Sequence, residues 1–420
     1  MNFTIKTIGC KVNIYESNKI KEELEKKGLN FIEINDNEKA IDYYIVNTCS
    51  VTSVADKKSR QMLSRAKKLH PNCKVVAIGW FVNSLDDNMK NALDYFDLFI
   101  KNEDKMNIYD ILLKNFGEVK SDKESINIKE KSVRSFIKIQ DGCNQFCTYC
   151  LIPYLRGRIT SRNEEDVLSE ILELIKSGSK EVILTGIHLS SYGLEKCNIS
   201  YEEEGAISIS RNNLISLIKK IVNLKTVDGK EIERIRLGSL EPRIINEEFV
   251  KMLISEDMKG KICQNFTLSL QSGSDKILKL MNRHYSVNDF ENAVNIIRKY
   301  MKASTITVDI IVGFPGENDE DYYETLEFAK KMRFYNPNIF PYSKREGTKA
   351  YNFKNQLTTR VKHDRAVRLI KECEIISREI ENELMDIDRD VLVEEVIEEN
   401  GVKYGIGYTK GYIKKKIRLE

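Results

Sequence analysis

The sequence contains no apolar run of about 18 residues, so no helix is expected to span a bilayer. It also lacks a charged n-region followed by an apolar h-region. The opening MNFTIKTIGCKVN has a strand-like pattern, and no secretory signal is expected. A dominant charge is missing too: a net charge of +3 neither favours nor excludes nucleic acid, which has to be argued from local clusters. The 9 cysteines are odd in number and unevenly spaced, which, without an export signal, argues for reduced thiols and metal ligation over a disulfide framework. A cytoplasmic location is expected. With 41% hydrophobic and 31% charged residues over 420 positions, the chain reads as an ordinary globular protein of two or three domains.

What is present is organised around residues 136–162, FIKIQDGCNQFCTYCLIPYLRGRITSR. Cys143, Cys147 and Cys150 form C-x3-C-x2-C, close enough to wrap one soft metal centre. Three thiolates rather than four leave one iron of a cubane cluster without a protein ligand, and that iron is where chemistry can happen. Zinc is the plainer alternative. It usually takes a fourth Cys or His at a second paired spacing, and neither His188 nor Cys197 supplies one.

Residues 1–117 alternate apolar runs with polar helical stretches: FTIKTIG, NIYESNKIKEELEKKG, YYIVNTC, DKKSRQMLSRAKKL and KVVAIGW. Such alternation predicts a parallel α/β sheet with its ligands beyond the carboxyl ends of the strands, where Cys10, Cys49 and Trp80 end three of the runs. The polar stretch 118–132 reads as a linker. From 133 to 357 the runs SFIKIQ, EVILTGI, RIRLGS, NFTLSLQ, TITVDIIVGF and NIFPYS predict a partial (β/α)6 barrel, with the cysteine triplet after its first strand. The polar stretch 195–213 reads as a surface insertion with no ligand role for Cys197. Residues 358–386 predict a connecting helix packed through Val367, Ile370, Ile375, Ile376 and Ile380. Residues 387–420 read as three short strands ending in the basic cluster Lys414, Lys415, Lys416 and Arg418. Interleaved Tyr and Lys suit nucleic acid, and a solvated basic edge fits equally well.

Seven blocks, in this order, resemble those of the methylthiotransferase family over nearly the whole chain: TIGCKVNIYES, NTCSVTSVADKKSRQ, the cysteine stretch, LTGIHLSSYG, LSLQSGSDKILKLMNR, VDIIVGFPGE and FPYSKREGTKA. The cysteine spacing is itself similar to the radical S-adenosylmethionine signature. The resemblance implies an α/β amino-terminal domain for an auxiliary 4Fe-4S cluster, a radical S-adenosylmethionine barrel, and a carboxy-terminal TRAM domain that holds RNA. It implies a 4Fe-4S cluster on Cys143, Cys147 and Cys150, and S-adenosyl-L-methionine as source of both a 5′-deoxyadenosyl radical and a methyl group. G-C-K-V-N-x-Y-E-S looks like the branch that methylthiolates C2 of N6-threonylcarbamoyladenosine 37 in transfer RNA. The isopentenyladenosine branch reads G-C-Q-M-N, and the branch acting on a ribosomal protein G-C-x-K-N. Implied partners are the tRNA substrate, a reducing electron donor such as a flavodoxin or ferredoxin, and an unidentified sulfur donor, with no membrane.

Cys10 and Cys49 match two ligands of the family's auxiliary cluster, whose third ligand is expected in a G-C pair ending the third strand. Here that pair is Gly79-Trp80. Cys73 lies before that strand, on the order of 20 Å away at about 3.3 Å per residue. Three readings follow from the resemblance: a lost or altered auxiliary cluster with reduced activity, a cluster kept by two cysteines plus a non-cysteine ligand, or a sequence artefact, since Cys and Trp codons differ by one base. An RNA-binding relative without sulfur transfer is the alternative of another class. A full TRAM barrel needs five strands, so the short carboxy-terminal domain is expected to be incomplete, and Asn338 stands where many relatives have His. Glu241 and Asp309 could face the cofactor or satisfy the barrel interior. Gly313 and Gly316 would let backbone approach the adenosyl moiety, or form a tight turn. Arg156, Arg158 and Arg162 would steer a phosphate backbone, or form a solvated face.

Overall fold

The computed structural model describes residues 1–34, 41–83, 94–117, 132–195, 197 and 203–419. The chain divides into two compact units, Met1–Lys129 and Glu130–Glu420. Among the described residues no helix is long and apolar enough to cross a membrane.

In the first unit, strands β1 (Asn2–Thr7), β2 (Asn30–Phe31), β3 (Tyr43–Thr48), β4 (Lys74–Gly79) and β5 (Leu98–Ile100) form one sheet in the order β2-β1-β3-β4-β5. Every pairing is parallel. Helices Lys11–Lys26, Ser53–Leu69 and Ile108–Phe116 connect or follow the strands. Consecutive residues of the central strands enter opposite cores, Tyr44, Val46, Val75 and Ala77 on one face and Tyr43, Ile45, Val76 and Ile78 on the other. A sheet covered on both faces needs such unbroken apolar runs. The strand order reverses between β1 and β3, and open parallel sheets bind ligands at such a crevice. Asn47 pairs with both Thr7 and Ile78, and Thr48 with Gly79, so the loops carrying Cys10, Cys49 and Trp80 leave the sheet at one end.

The second unit holds β6 (Arg134–Lys138), the short pair β7 (Gln140–Asp141) and β8 (Thr160–Ser161), then β9 (Glu181–Thr185), β10 (Arg234–Leu237), β11 (Asn265–Gln271), β12 (Thr305–Val312) and β13 (Asn338–Pro341). Two parallel ladders, β6-β9-β10 and β11-β12-β13, are joined by parallel bridges Ile235↔Ile262 and Leu240↔Leu268. The result is a six-stranded open barrel. Alternate residues such as Ile137, Val182, Leu184, Ile235, Phe266, Leu268 and Val308 pack outward in one core with the helices. Their neighbours therefore face the lumen, which is polar at its base: Arg134, Glu181, Arg234, Asn265 and Thr305.

The antiparallel sheet β14 (Val391–Glu399), β15 (Val402–Thr409) and β16 (Lys414–Arg418) closes that base. Arg234 donates to the carbonyls of Tyr408 (2.8 Å) and Asp390 (2.7 Å). Arg236 donates to those of Lys410 (3.1 Å) and Thr409 (3.3 Å), and Thr305 to that of Gly411 (2.6 Å). Glu181, fully buried, forms ion pairs with Arg134 (3.1 Å) and Arg236 (2.8 Å). The stacked rings of Tyr408 and Tyr412 lie under these guanidinium groups, with Arg134 at 5.0 Å and Arg236 at 4.7 Å from the Tyr412 centroid.

Two expectations are corrected. Residues 204–213 are not an insertion but the start of helix Glu204–Asn223, with Ala206, Ile207, Ser210 and Arg211 buried. Arg211 is tolerated inside because it donates to the carbonyls of Ile244 (2.9 Å) and Arg243 (3.1 Å). Helix Thr359–Leu384 packs through Ala366, Leu369, Cys373, Ser377 and Leu384, whereas Val367, Ile370 and Ile375 are exposed. Small residues on the packed face let this helix approach closely, and that choice of phase is invisible to an apolar count. The expected linker falls, but for Ser132, outside the described residues.

Candidate metal centre and its surroundings

The loop carrying Cys143, Cys147 and Cys150 leaves the carboxyl end of β6 and is fixed along its length. Gly142 (φ 67°) passes so close to the chain returning toward β8 that a Cβ would lie 1.9 Å from the Arg158 carbonyl oxygen, which only glycine avoids. The Cys143 N–H donates to the Gly157 carbonyl (3.1 Å). Gln140 ties down the carbonyls of Asp141 (2.6 Å) and Gly142 (2.8 Å). Phe146 sits at φ 48°, a left-handed conformation that costs a bulky residue energy and has to be held by its neighbours. Asn282 supplies the restraint by donating to the carbonyls of Gln145 (3.2 Å) and Phe146 (3.4 Å). Further along, Thr148 bonds the carbonyls of Met281 (3.0 Å) and Leu280 (2.8 Å), and receives the Ala350 N–H (2.8 Å).

Cys143 and Cys147 are each 8% exposed. Burial, and the charge of neighbouring sulfurs, pushes the Cys143 thiol up to about 12 and the Cys150 thiol higher still. Such thiols ionise together only if a cation shares the site. Part of that charge is built in. Arg283 donates from Nη1 to Cys147 Sγ (3.2 Å) and from Nε to the Tyr285 hydroxyl (3.0 Å). Burial opposes its charge, but Tyr285, Cys147, Tyr149 and Glu241 outweigh burial and hold it protonated. Arg283 Nη2 and Gln145 Oε1 are buried without a hydrogen-bond partner, polar atoms that a bound group would satisfy. Among the described residues no three His, Cys, Asp or Glu side chains converge on a single ion. The donor set is soft, cradled and matched by a nearby cation, and fits a thiolate-bound iron–sulfur cluster.

Glu241 is 1% exposed beside this loop. Burial raises its carboxyl, but Arg243 (2.7 Å), Arg283 and His188 together hold it below the usual range. His188 is pushed down to about 4 by burial; Glu241 opposes this, and Arg283 and Arg243 add to it. Its backbone N–H donates to Gln140 Oε1 (2.8 Å) and its Nδ1 lies 2.5 Å from Ser191 Oγ. Asp309 shares a face of β12 with the lumen residues Thr305 and Thr307, and accepts from Asn338 Nδ2 (2.9 Å). Arg283, Arg243, Tyr285 and Gln145 were not picked out from the sequence, because a buried charge in a helix-flanking loop leaves no periodic signal.

Several other residues singled out in the sequence already have partners within the fold. Arg156 is buried against both carboxylate oxygens of Asp141 (3.0 Å each), and Arg162 bonds Glu170 (2.7 Å) and the Lys138 carbonyl (2.9 Å). Both guanidinium groups are engaged within the fold. Arg158 is exposed, 4.4 Å from the Phe146 ring centroid. At Gly313 (φ 73°) a Cβ would lie 2.3 Å from Lys362 Cγ, so the absent side chain makes room for the lysine stem. Gly316 (φ 91°) faces Leu280. Lys415 is bound to the carbonyls of Met385 (2.6 Å) and Asp388 (2.7 Å); Lys414, Lys416 and Arg418 are exposed on β16, Lys416 paired with Glu399.

In the first unit Cys49 is buried and Cys10, exposed, precedes helix Lys11–Lys26. Gly9 (φ 112°) lies against Cys49: a Cβ there would be 2.9 Å from Cys49 Cβ and 3.0 Å from its Sγ. Asn13 donates to the carbonyls of Ile8 (2.8 Å) and Thr48 (3.2 Å), tying the two cysteine loops together. Trp80, 6% exposed, opens the short helix Trp80–Asn83 at the third strand end.

Residues 137–329 match the Radical SAM superfamily, and residues 2–101 match the uncharacterized protein family UPF0004. The chain is 36% identical over 385 residues to a threonylcarbamoyladenosine tRNA methylthiotransferase of Aquifex aeolicus, covering 89% of this chain and 87% of the relative. It is 33% identical over 416 residues to the Bacillus subtilis protein of the same name, covering 94% and 86%. It is also 34% identical over 406 residues to a tRNA-2-methylthio-N(6)-dimethylallyladenosine synthase of Endomicrobium trichonymphae, covering 96% and 90%. Among solved structures, a radical S-adenosylmethionine methyltransferase of Kitasatospora setae, TsrM, aligns with a TM-score of 0.54 at 13% identity over 81% of this chain and 74% of that one, a likeness of fold. The cysteine loop on a parallel barrel and the length of these matches lead to one conclusion: the chain belongs to the radical S-adenosylmethionine methylthiotransferase family, in its threonylcarbamoyladenosine tRNA branch.

Proposed function

We propose that the chain is a tRNA methylthiotransferase that converts N6-threonylcarbamoyladenosine 37 to its 2-methylthio derivative. The observation that carries the reading is the triplet of Cys143 and Cys147, both buried, and half-buried Cys150 at the carboxyl end of the barrel, with Arg283 on the Cys147 sulfur. Near-full-length similarity to relatives bearing that activity in their names supports it, as does the K-V-N sequence after Cys10. The three cysteines would hold a 4Fe-4S cluster, and that cluster with S-adenosyl-L-methionine would supply the radical chemistry. The chain's own residues do the rest. Asn282, Thr148 and Gly142 fix the loop; Glu241, bonded by Arg243, and Asp309, bonded by Asn338, are the ionisable groups we assign to the cofactor's surroundings. The arrangement needs a reducing electron donor such as a flavodoxin or ferredoxin, and a sulfur donor. For RNA, Arg158, Lys414, Lys416 and Arg418 are the exposed cations of the expected set, Lys416 being paired with Glu399.

Nucleoside mass spectrometry of a deletion strain tests the reading. The 2-methylthio derivative of threonylcarbamoyladenosine should vanish and return on complementation. Its persistence in the deletion strain, with loss of the isopentenyladenosine derivative instead, would overturn the substrate.

A further inference from the structure

The three strand ends of the amino-terminal unit carry two thiols and one indole, and we infer that this is a two-thiol site that holds no 4Fe-4S cluster, so that all cluster iron of the chain is at Cys143, Cys147 and Cys150. The inference uses the proposed function only to say that a second cluster would be expected.

Met1–Lys129 contains three cysteines, Cys10, Cys49 and Cys73. The first two lie on loops that approach each other, Gly9 next to Cys10 lying against Cys49. Cys73 cannot join them. It precedes the first residue of β4 while Trp80 follows the last, which separates the two positions by on the order of 20 Å of extended chain. Cys73 is also committed to the far end of the sheet: it is 2% exposed in the core with Tyr44 and Ala66, and its N–H bonds the His70 carbonyl (3.0 Å). Moving it would unravel a strand whose residues Val75, Val76, Ala77 and Ile78 are all 0% exposed.

Trp80 occupies the third place. Thr48 and Gly79 are paired partners on adjacent strands, so Cys49 and Trp80 are the first residues beyond them, on strands about 4.8 Å apart. The direction in which the chain leaves is fixed. Gly79 is at φ 93°, with its side-chain position 2.8 Å from Asn47 Oδ1 and 2.8 Å from the Thr48 carbonyl oxygen, and Phe81 N–H donates to Thr48 Oγ1 (3.3 Å). The indole is buried there. It offers an N–H donor and no lone pair for iron, and it is several times the bulk of a thiol. Two cysteines of the unit thus remain where a cubane with one open iron needs three. If the proposed function holds, the sulfur atom is delivered by a carrier other than a second cluster of this chain.

The test is anaerobic reconstitution of the full chain with iron and sulfide, followed by iron and labile-sulfide counts and electron paramagnetic resonance of the reduced protein. Wild type should bind about four irons. A Cys143→Ser, Cys147→Ser, Cys150→Ser triple variant should bind almost none, and adding Trp80→Cys to it should restore about four. Retention of about four irons by the triple variant would overturn the inference. So would a failure of Trp80→Cys to restore iron in a variant whose circular dichroism shows it folded. If that variant does not fold, wild type and triple variant alone decide. Formation of 5′-deoxyadenosine by wild type reports on the proposed function separately, so the two can fail independently.

Discussion

At the carboxyl ends of two parallel sheets the chain places cysteine-bearing loops, and the two are supported differently. The barrel loop is bound by Asn282, Thr148, Gln140 and the Gly157 carbonyl, holds a strained Phe146, and meets a buried cation at Cys147. The amino-terminal loops are joined by Asn13 and Gly9, and their third side is an indole. The first arrangement supplies charge to a sulfur, whereas the second supplies bulk beside one. A strand-end position is thus no more than a location; what a loop can bind depends on the groups brought to meet it.

The largest effect that separates the two sites comes from Cys147→Ala. Two thiolates cannot hold a cubane that must also present an open iron, so 5′-deoxyadenosine formation should fall at least about a hundredfold, with cluster absorbance lost. The amino-terminal unit should remain folded by circular dichroism. Arg283→Met tests whether charge is what distinguishes the barrel loop. Removing a group that bonds a ligand sulfur should cost about 10–100-fold in cluster affinity or cleavage rate, and should lower the cluster midpoint potential. A cleavage rate and potential equal to wild type would make Arg283 a packing residue.

A smaller effect is expected at the base of the barrel. Lys414→Ala with Arg418→Ala should weaken tRNA binding by about threefold per lost phosphate contact and flatten its dependence on salt, measured by filter binding at several ionic strengths. An unchanged salt slope would assign β16 to a solvated edge. The smallest is a pH effect at His188. Its folded-state value of about 4 lies below the ordinary 6.5, so the unfolded chain takes up a proton that the fold refuses. Stability is therefore full above pH 6.5 and declines as pH falls toward about 4. His188→Gln should remove that part of the decline, read as a shallower change of melting temperature across the window.

The strands were legible in the sequence because each is an apolar run bounded by polar stretches. All six barrel strands and the three carboxy-terminal strands coincide with such runs. The C-x3-C-x2-C spacing was likewise local and could be read directly. What could not be read were groups brought together from distant positions. Arg283 reaches Cys147 across 136 residues. Arg156, a plausible phosphate ligand by its neighbours, is taken by Asp141. The helix Thr359–Leu384 buries Ala366, Cys373 and Ser377 beside Leu369 and Leu384 while Val367, Ile370 and Ile375 are exposed, a phase that counting apolar residues does not give.

The sheet that closes the base of the barrel has a consequence for how the protein is made. Arg234 and Arg236 find their carbonyl acceptors in Tyr408, Thr409 and Lys410, some 174 residues later in the chain. A nascent polypeptide that has completed all six barrel strands still carries these guanidinium groups without those carbonyl acceptors, with Arg236 held by Glu181. Synthesis from the amino terminus therefore gives a barrel that becomes secure only in its final step, and a chain interrupted between β13 and β15 exposes a charged, open base that cellular proteases can recognise.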